Sequence, residues 1–305
     1  MNYRSIADMT RDLSGFVGKL PTDIDVVVGV PRSGMLAASI LALLLNRRLT
    51  DLEGLFEDRL ISSGRRAVSR SDQTIKKILI VEDSVSVGES IKRVRQRIDE
   101  AKLPYDVEYL AVYVTPGHHD LVDYSVAEVG PPRVFEWNVM HHEYLGRACV
   151  DIDGVLCVDP TREQNDDGER YLDFLRTAAP LRLPSLEIGW LVTSRLEKYR
   201  EPTEQWLRDH GVAYRELRMM PAATPAERFR IGHANFKAKT YMETDSLLFL
   251  ESEPAQASEI ARLSGKAVLC IETMRLADRD APQPASYRAR SLHHKVKRRL
   301  KKWLR

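Results

Sequence analysis

The chain has 305 residues, with 46 Lys and Arg against 44 Asp and Glu for a formal charge of +2, 43% hydrophobic residues and 7% aromatics. That length allows about two domains, and the apolar content argues against disorder over most of the chain. The longest apolar run, Met35 to Leu45, is broken by Ser39 and stops at Asn46-Arg47-Arg48, too short to span a bilayer.

The first eight residues, Met1 to Asp8, lack the charged-then-apolar layout of a secretory signal, which points to the cytoplasm. Asp25 to Val30 reads as a strand, followed by a helix from about Ser33 to Leu45. A strand at Ile78 to Val81, a helix from about Glu89 to Ala101 and a strand at Val107 to Val114 continue the alternation. Unbroken apolar strands separated by helices predict a parallel sheet covered on both faces. After Pro131-Pro132, Arg133 to Val139 reads as one more strand, and a second series begins with Ala148 to Val155. Strands at Ile188 to Thr193, Ser246 to Leu250 and Ala267 to Glu272 follow, with helices around Glu201 to His210 and Pro254 to Leu263. The fold class is therefore α/β, with two doubly wound parallel-sheet domains over residues 1–145 and 146–280. Cys149, Cys157 and Cys270 include no metal-type pair and read as reduced, mostly buried thiols.

Residues 281–305 form a Pro-rich linker, Ala281 to Ala285, and a basic segment. Nine basic residues and no acidic one lie between Arg288 and Arg305, so against the total of +2 residues 1–287 carry −7. Leu292, Val296, Leu300, Trp303 and Leu304 make one apolar stripe on a predicted helix whose other faces are basic. An interfacial helix on anionic lipid uses both faces, with Trp303 at headgroup level, so 288–305 predicts an anionic membrane surface as partner. Docking on the chain's own body is the second reading. A nucleic-acid arm would have no need of the stripe, and no nucleic-acid partner is expected.

The run from Ile78 to Ser90, Ile-Leu-Ile-Val-Glu-Asp-Ser-Val-Ser-Val-Gly-Glu-Ser, puts two carboxylates after apolar strand residues, then a small-residue loop and a helix. Backbone N–H groups and the dipole at such a helix N-terminus favour a phosphate, and Glu82 and Asp83 can accept from a vicinal diol, so a sugar phosphate fits. This pattern resembles the phosphoribosyl diphosphate (PRPP) signature of type I phosphoribosyltransferases. The resemblance implies that Glu82 and Asp83 hold the ribose hydroxyls, and that Ser84, Val85, Ser86, Val87, Gly88 and Ser90 hold the 5-phosphate. Val87 stands where Thr is frequent and Ser84 where an apolar residue is frequent. Upstream, Val28 to Gly34 resembles the family's pyrophosphate loop, with Pro31, Arg32, Ser33 and Gly34 as contacts and Arg32 available to a diphosphate oxygen. Between them, the resemblance implies that Asp51 to Lys77 is a mobile lid whose cations, drawn from Arg59, Arg65, Arg66 and Arg70, neutralise departing pyrophosphate.

In the second series, Cys149 to Val155 carries Asp151 and Asp153 two residues apart beyond a buried strand, one placed as nucleophile and the other as acid/base, with Mg²⁺ bridging to a phosphate. Thr193 ends the strand Gly189 to Arg195 with a hydroxyl suited to a phosphoryl oxygen. Lys237, preferred over Lys239, can neutralise nucleophile and phosphate, and Glu251 and Glu253 follow a strand as metal-ligand candidates, Glu251 preferred. The order of the four motifs resembles the haloacid dehalogenase-like phosphatases over about Ala148 to Thr273. That resemblance implies a Mg²⁺ held by Asp151, Asp153 and Glu251, and about 35 residues between the first two motifs leave room for only a minimal cap.

Adjacent pairs His118-His119, His141-His142 and His293-His294 suit surface or packing roles, and the segment from Glu136 through Trp137 and Asn138 to His142 is a secondary candidate for an acceptor pocket. Joined on one chain, the two motif sets resemble bifunctional ribofuranosyltransferases of bacterial polysaccharide assembly. The expected activity is transfer of 5-phosphoribosyl from PRPP to a hydroxyl of a lipid-linked glycan, then removal of the 5-phosphate, by a peripheral protein at the inner face of the cytoplasmic membrane. A homo-oligomer is compatible with the sequence. The rivals are a nucleobase phosphoribosyltransferase joined to a nucleotide 5′-phosphatase, and a PRPP-sensing regulator.

Overall fold

The computed structural model describes residues 1–61 and 74–278. The chain divides into two compact units, Asn2–Trp137 and Asn138 onward. This division precedes the expected 145/146 boundary because the intervening turn is tied into the second unit: the Ser185 N–H donates to the Met140 carbonyl (3.3 Å), and His141 Nδ1 lies 3.0 Å from Ser185 Oγ. Arg65, Arg66, Arg70, the linker 281–285 and the basic segment 288–305 lie outside the described residues.

The first unit runs β1 (Asn2–Arg4), α1 (Ile6–Phe16), β2 (Val26–Gly29), α2 (Gly34–Leu45), β3 (Arg48–Asp51) and α3 (Leu52–Phe56). It continues through β4 (Lys77–Val85), α4 (Glu89–Ala101), β5 (Asp106–Val114), β6 (Tyr124–Glu128) and β7 (Arg133–Phe135). Five strands pair in the order β3-β2-β4-β5-β6, all parallel. Strand side chains alternate between faces, so the unbroken apolar runs supply two cores at once. Val27, Leu79, Val81, Leu110 and Val112 pack with Met9 and Leu13 of α1 and Ala37, Ala38 and Leu41 of α2. Val26, Val28, Ile78, Ile80 and Ala111 pack with Leu52 and Leu55 of α3 and Ile91, Val94 and Ile98 of α4.

Two expectations are corrected here. Arg133–Phe135 forms a strand of three residues that pairs with β1 outside the main sheet, and Glu136–His141 is a 3₁₀ turn. The ladder ends because Glu136 turns to accept from the Ile6 N–H (2.8 Å) and Trp137 turns to Asp83. The start of the segment expected as a lid is anchored instead, because Leu52 and Leu55 hold α3 in the core and Asp51 caps it through the Gly54 N–H.

The second unit runs β8 (Ala148–Val150), α5 (Glu169–Thr177), β9 (Ile188–Leu196), α6 (Arg200–Asp209), β10 (Tyr214–Met220), α7 (Pro225–Ile231) and α8 (His233–Met242). After these come β11 (Leu248–Glu251), α9 (Pro254–Ser264), β12 (Val268–Cys270) and β13 (Arg275–Leu276). The sheet order is β10-β9-β8-β11-β12-β13, parallel except for β13. Cys149, Val192 and Phe249 form a core with Ala234, Ala238 and Tyr241 of α8 and Ala257, Ile260 and Ala261 of α9. The strand expected to reach Val155 stops at Val150, because the Ile152 carbonyl accepts from the N–H groups of Val155, Leu156 and Cys157 and turns the chain. Between β8 and β9 the chain forms one helix, α5, of nine residues. Cys149, Cys157 and Cys270 are all free and buried, and all lie in this unit. Among the described residues no helix is long and apolar enough to cross a membrane.

Candidate active sites

In the first unit, strand β4 carries Glu82 and Asp83 beyond the point where the sequence predicts its end, so the acidic pair sits on the strand itself. Both side chains are buried, at 7% and 3% exposure, and Glu82 Oε2 has no hydrogen-bond partner. A buried acceptor without a donor costs free energy unless a ligand supplies one, and a ribose hydroxyl would. Burial, reinforced by the neighbouring Asp83 charge, pushes the Glu82 carboxyl from 4.5 up to about 8. Ser84 is half-buried on the same strand, while Ser86 and Val87 are exposed in the loop. Gly88 adopts φ 84° and precedes α4, placing Ser90 in the first turn, where helix N–H groups lack intrahelical acceptors.

The second loop lies on neighbouring β2. Pro31 and Arg32 are exposed, joined by a cis peptide, and Ser33 precedes α2. A Cβ on Gly34 would stand 2.7 Å from the Val81 carbonyl oxygen, so only glycine lets α2 start this close to β4. Arg59, expected as a lid cation, is paired with Glu57 at 3.0 Å.

The raised Glu82 value has a measurable consequence. Between pH 4.5 and 8 the folded chain holds a proton on Glu82 that the unfolded chain has lost. This contribution to stability is complete below the ordinary carboxylate value and is lost as pH rises through about 8. Glu82→Gln is expected to flatten the decline of the melting midpoint between pH 5 and 8.5 by the equivalent of a few kcal/mol, roughly the size of such shifts. Equal slopes in the two proteins would contradict it.

In the second unit, Asp151, Asp153, Ser194, Lys237 and Glu251 line one cavity of about 540 Å³ with Arg182, Arg228 and His233 on its flank. Lys237 Nζ donates to Asp151 Oδ2 and to Glu251 Oε2, both at 2.6 Å, and all three side chains are buried. Burial raises the Asp151 carboxyl, an effect that the Lys237 ammonium opposes. Burial and the charges of Arg228 and Lys237 hold His233 down at about 4, hence neutral. Gly154 turns the chain with φ 74°, and a Cβ there would crowd Ser252 Oγ.

The alternatives take different positions, and the hydroxyl that lines the cavity is not the one expected. Lys237 occupies the acidic cluster, whereas Lys239 is exposed and 3.9 Å from Glu243. Glu251 faces the cluster, whereas Glu253 caps α9 through the N–H groups of Ala255 and Gln256. Thr193 is fully buried and its hydroxyl accepts from the Arg195 N–H (3.2 Å); the adjacent Ser194 lines the cavity, with a buried Oγ that has no partner. Asp153 is gripped by Arg195, whose Nε lies 3.2 Å from both carboxylate oxygens and whose second guanidinium nitrogen lies 2.6 Å from Oδ1. Arg195 is a site residue that the motifs alone do not single out. Its burial in the structure points to it, because a buried guanidinium needs a carboxylate.

The expected three-carboxylate magnesium centre is not assembled as such. Among the described residues no group of three or more His, Cys, Asp or Glu side chains is spaced to hold a metal ion, and the Asp153 side chain is committed to Arg195. Asp151 and Glu251 fit better. Mg²⁺ takes hard oxygen ligands, commonly one or two carboxylates completed by water and phosphate. Within the cavity Asp151 pairs with Lys237 and Asp153 with Arg195, and a bound Mg²⁺ would offset part of the negative charge that a phosphate brings.

No protein-family model matches the chain. Xanthine-guanine phosphoribosyltransferase from Idiomarina loihiensis is 28% identical over 131 residues, covering 39% of this chain and 73% of that protein. Among solved structures, a purine phosphoribosyltransferase from Pyrococcus horikoshii aligns at 19% identity over 45% of this chain and 92% of its own, with a TM-score of 0.33. Xanthine-guanine-hypoxanthine phosphoribosyltransferase from Helicobacter pylori aligns at 16% identity over 45% and 93%, with a TM-score of 0.35. The curated similarity, together with the parallel sheet and the two loops, describes the first unit as phosphoribosyltransferase-like in fold.

Proposed function

We propose that the first unit transfers a 5-phosphoribosyl group from PRPP to an acceptor and that the second unit then removes the 5-phosphate. The observation that carries this reading is the pairing on one chain of a buried acidic cradle beside a helix N-terminus with a separate cavity built on Asp151, Lys237 and Glu251. The product of the first chemistry bears the phosphomonoester that the second would hydrolyse.

In the transfer, Glu82 and Asp83 accept from the ribose hydroxyls, the loop Ser84 to Ser90 receives the 5-phosphate and Arg32 the diphosphate. The bond from ribose C1 to pyrophosphate breaks, an acceptor oxygen or nitrogen forms the new bond to C1, and the acceptor's proton passes to the departing pyrophosphate or to solvent. In the hydrolysis, an Asp151 oxygen attacks phosphorus and the bond to ribose O5 breaks, with the leaving oxygen taking a solvent proton relayed by Asp153. Water then attacks the aspartyl phosphate, gives its proton to Asp153 and releases inorganic phosphate. Ser194 donates to a phosphoryl oxygen, and Lys237 offsets the charge of nucleophile and phosphate. Mg²⁺ held by Asp151 and Glu251 would supply charge neutralisation for the phosphoryl group.

The acceptor in this reading is a glycan hydroxyl, lipid-linked if the basic segment 288–305 meets an anionic membrane. Its basis is that removal of the phosphate leaves a plain ribofuranosyl residue and makes the sequence effectively irreversible. A nucleobase acceptor is the second reading, favoured by the name of the curated relative, a xanthine-guanine phosphoribosyltransferase. Incubation with PRPP and Mg²⁺ plus either glycans or nucleobases, followed by mass spectrometry, separates them. Pentose without phosphate on a glycan is the expected product; transfer only to a base overturns the glycan reading, and consumption of neither PRPP nor acceptor overturns both.

A further inference from the structure

We propose that Trp137 is a positioning residue of the ribose-phosphate cradle, holding Asp83 in the orientation that receives the ribose diol. The inference rests on the reading of residues 82–90 as a PRPP site and adds to it a residue outside both loops. The indole Nε1–H donates to Asp83 Oδ2 at 2.8 Å, across 54 positions of sequence. Asp83 is 3% exposed and lies beside the similarly buried Glu82, so two neighbouring carboxylates share a region of low dielectric. A neutral donor satisfies one Asp83 oxygen and fixes its rotamer without bringing in a cation, which would compete with hydroxyls for both acids.

The indole is itself fixed from several directions. Its ring stacks on Phe135 with centroids 4.8 Å apart and planes 7° from parallel, and lies 6.3 Å from the Tyr113 ring at 14°. Tyr113 is anchored in turn by its hydroxyl, which donates to Asp12 of α1 at 2.9 Å. Two residues before Phe135, an Arg133 guanidinium nitrogen donates to the carbonyl of Val85 (3.3 Å), the last residue of β4. The three-residue strand β7 and the turn after it therefore grip the cradle at two points, Asp83 and Val85. Paired with β1 outside the main sheet, this strand and the turn after it bring Arg133 and Trp137 to the end of β4.

The effect is read in binding. Trp137→Phe keeps an aromatic ring in the stack and removes the donor. It is expected to weaken PRPP and ribose 5-phosphate, both of which present the diol, by about 10-fold or more, the scale of a lost hydrogen bond to a charged group. Affinity for inorganic pyrophosphate, which lacks the diol, stays unchanged. In an Asp83→Ala background the same change has no further effect. Benzothienylalanine at position 137, the sulfur isostere of tryptophan, removes the donor at constant ring volume and should reproduce the phenylalanine result even if that variant folds poorly. Equal weakening of all three ligands, unchanged affinity for PRPP, or full additivity with Asp83→Ala overturns the inference. Failure of the unsubstituted protein to bind PRPP and ribose 5-phosphate overturns the cradle reading and the inference with it.

Discussion

Asp151→Asn is expected to reduce phosphate release by about 10⁴-fold or more, the scale on which removal of a nucleophile acts, while PRPP-dependent transfer continues at its original rate. The two effects separate because Glu82, Asp83 and the loops around them belong to the unit Asn2–Trp137, and Asp151 to the other. The fold should survive the change. Asparagine has the shape of aspartate, can still accept from the Ile152 N–H (2.9 Å), and leaves Lys237 paired with Glu251 at 2.6 Å. The accumulating product is then heavier than the wild-type product by one phosphoryl group, which mass spectrometry reads directly. Unchanged phosphate release would remove Asp151 from the chemistry and the phosphatase reading with it.

The second large effect is on stability. The Arg195 guanidinium is fully buried and grips Asp153 while also donating to Thr203 Oγ1 (3.3 Å). Breaking a buried pair by deleting one partner costs about 3–5 kcal/mol, because the remaining charge loses its compensation. Arg195→Met is therefore expected to lower the melting midpoint of the second unit by on the order of 10 °C. Phosphate release falls with it, since Asp153 loses the contact that orients it. Arg195→Lys should restore little, because an ammonium cannot replace a planar fork with donors to both carboxylate oxygens and to a third residue. Calorimetry of the two variants decides the matter, and a midpoint within 2 °C of wild type, roughly 1 kcal/mol or less, would show that the pair adds nothing.

Legibility in the sequence follows from how each feature is encoded. Val26–Gly29 and the Ile78–Val81 part of β4 are readable because a strand buried on both faces has no polar alternation, and a short, β-branched apolar run between two helices fits little but a central parallel strand. Strands β6 and β10 escape the sequence pattern because they mix polar and charged residues with apolar ones, as Tyr124–Glu128 and Tyr214–Met220 do at the sheet edges. The acidic pair, Asp151 and Lys237 stand out as residues within local motifs, and the structure brings Lys237 and Glu251 onto Asp151 from separate helix and strand. What local sequence does not carry is tertiary pairing. Arg195 to Asp153 and Trp137 to Asp83 join residues 42 and 54 positions apart, and nothing in either neighbourhood fixes the partner. The choice between Thr193 and Ser194 turns on strand phase, where a shift of one residue exchanges the buried hydroxyl for the one in the cavity.

The three cysteines give the second unit a built-in clock. Cys149, Cys157 and Cys270 are buried among strands and turns of that unit, and the first unit contains no thiol at all. A small alkylating reagent can therefore reach sulfur only when β8, the turn after it or β12 opens. Modification of the intact chain is silent about residues 2–137 and reports, one mass increment at a time, how often the other half breathes.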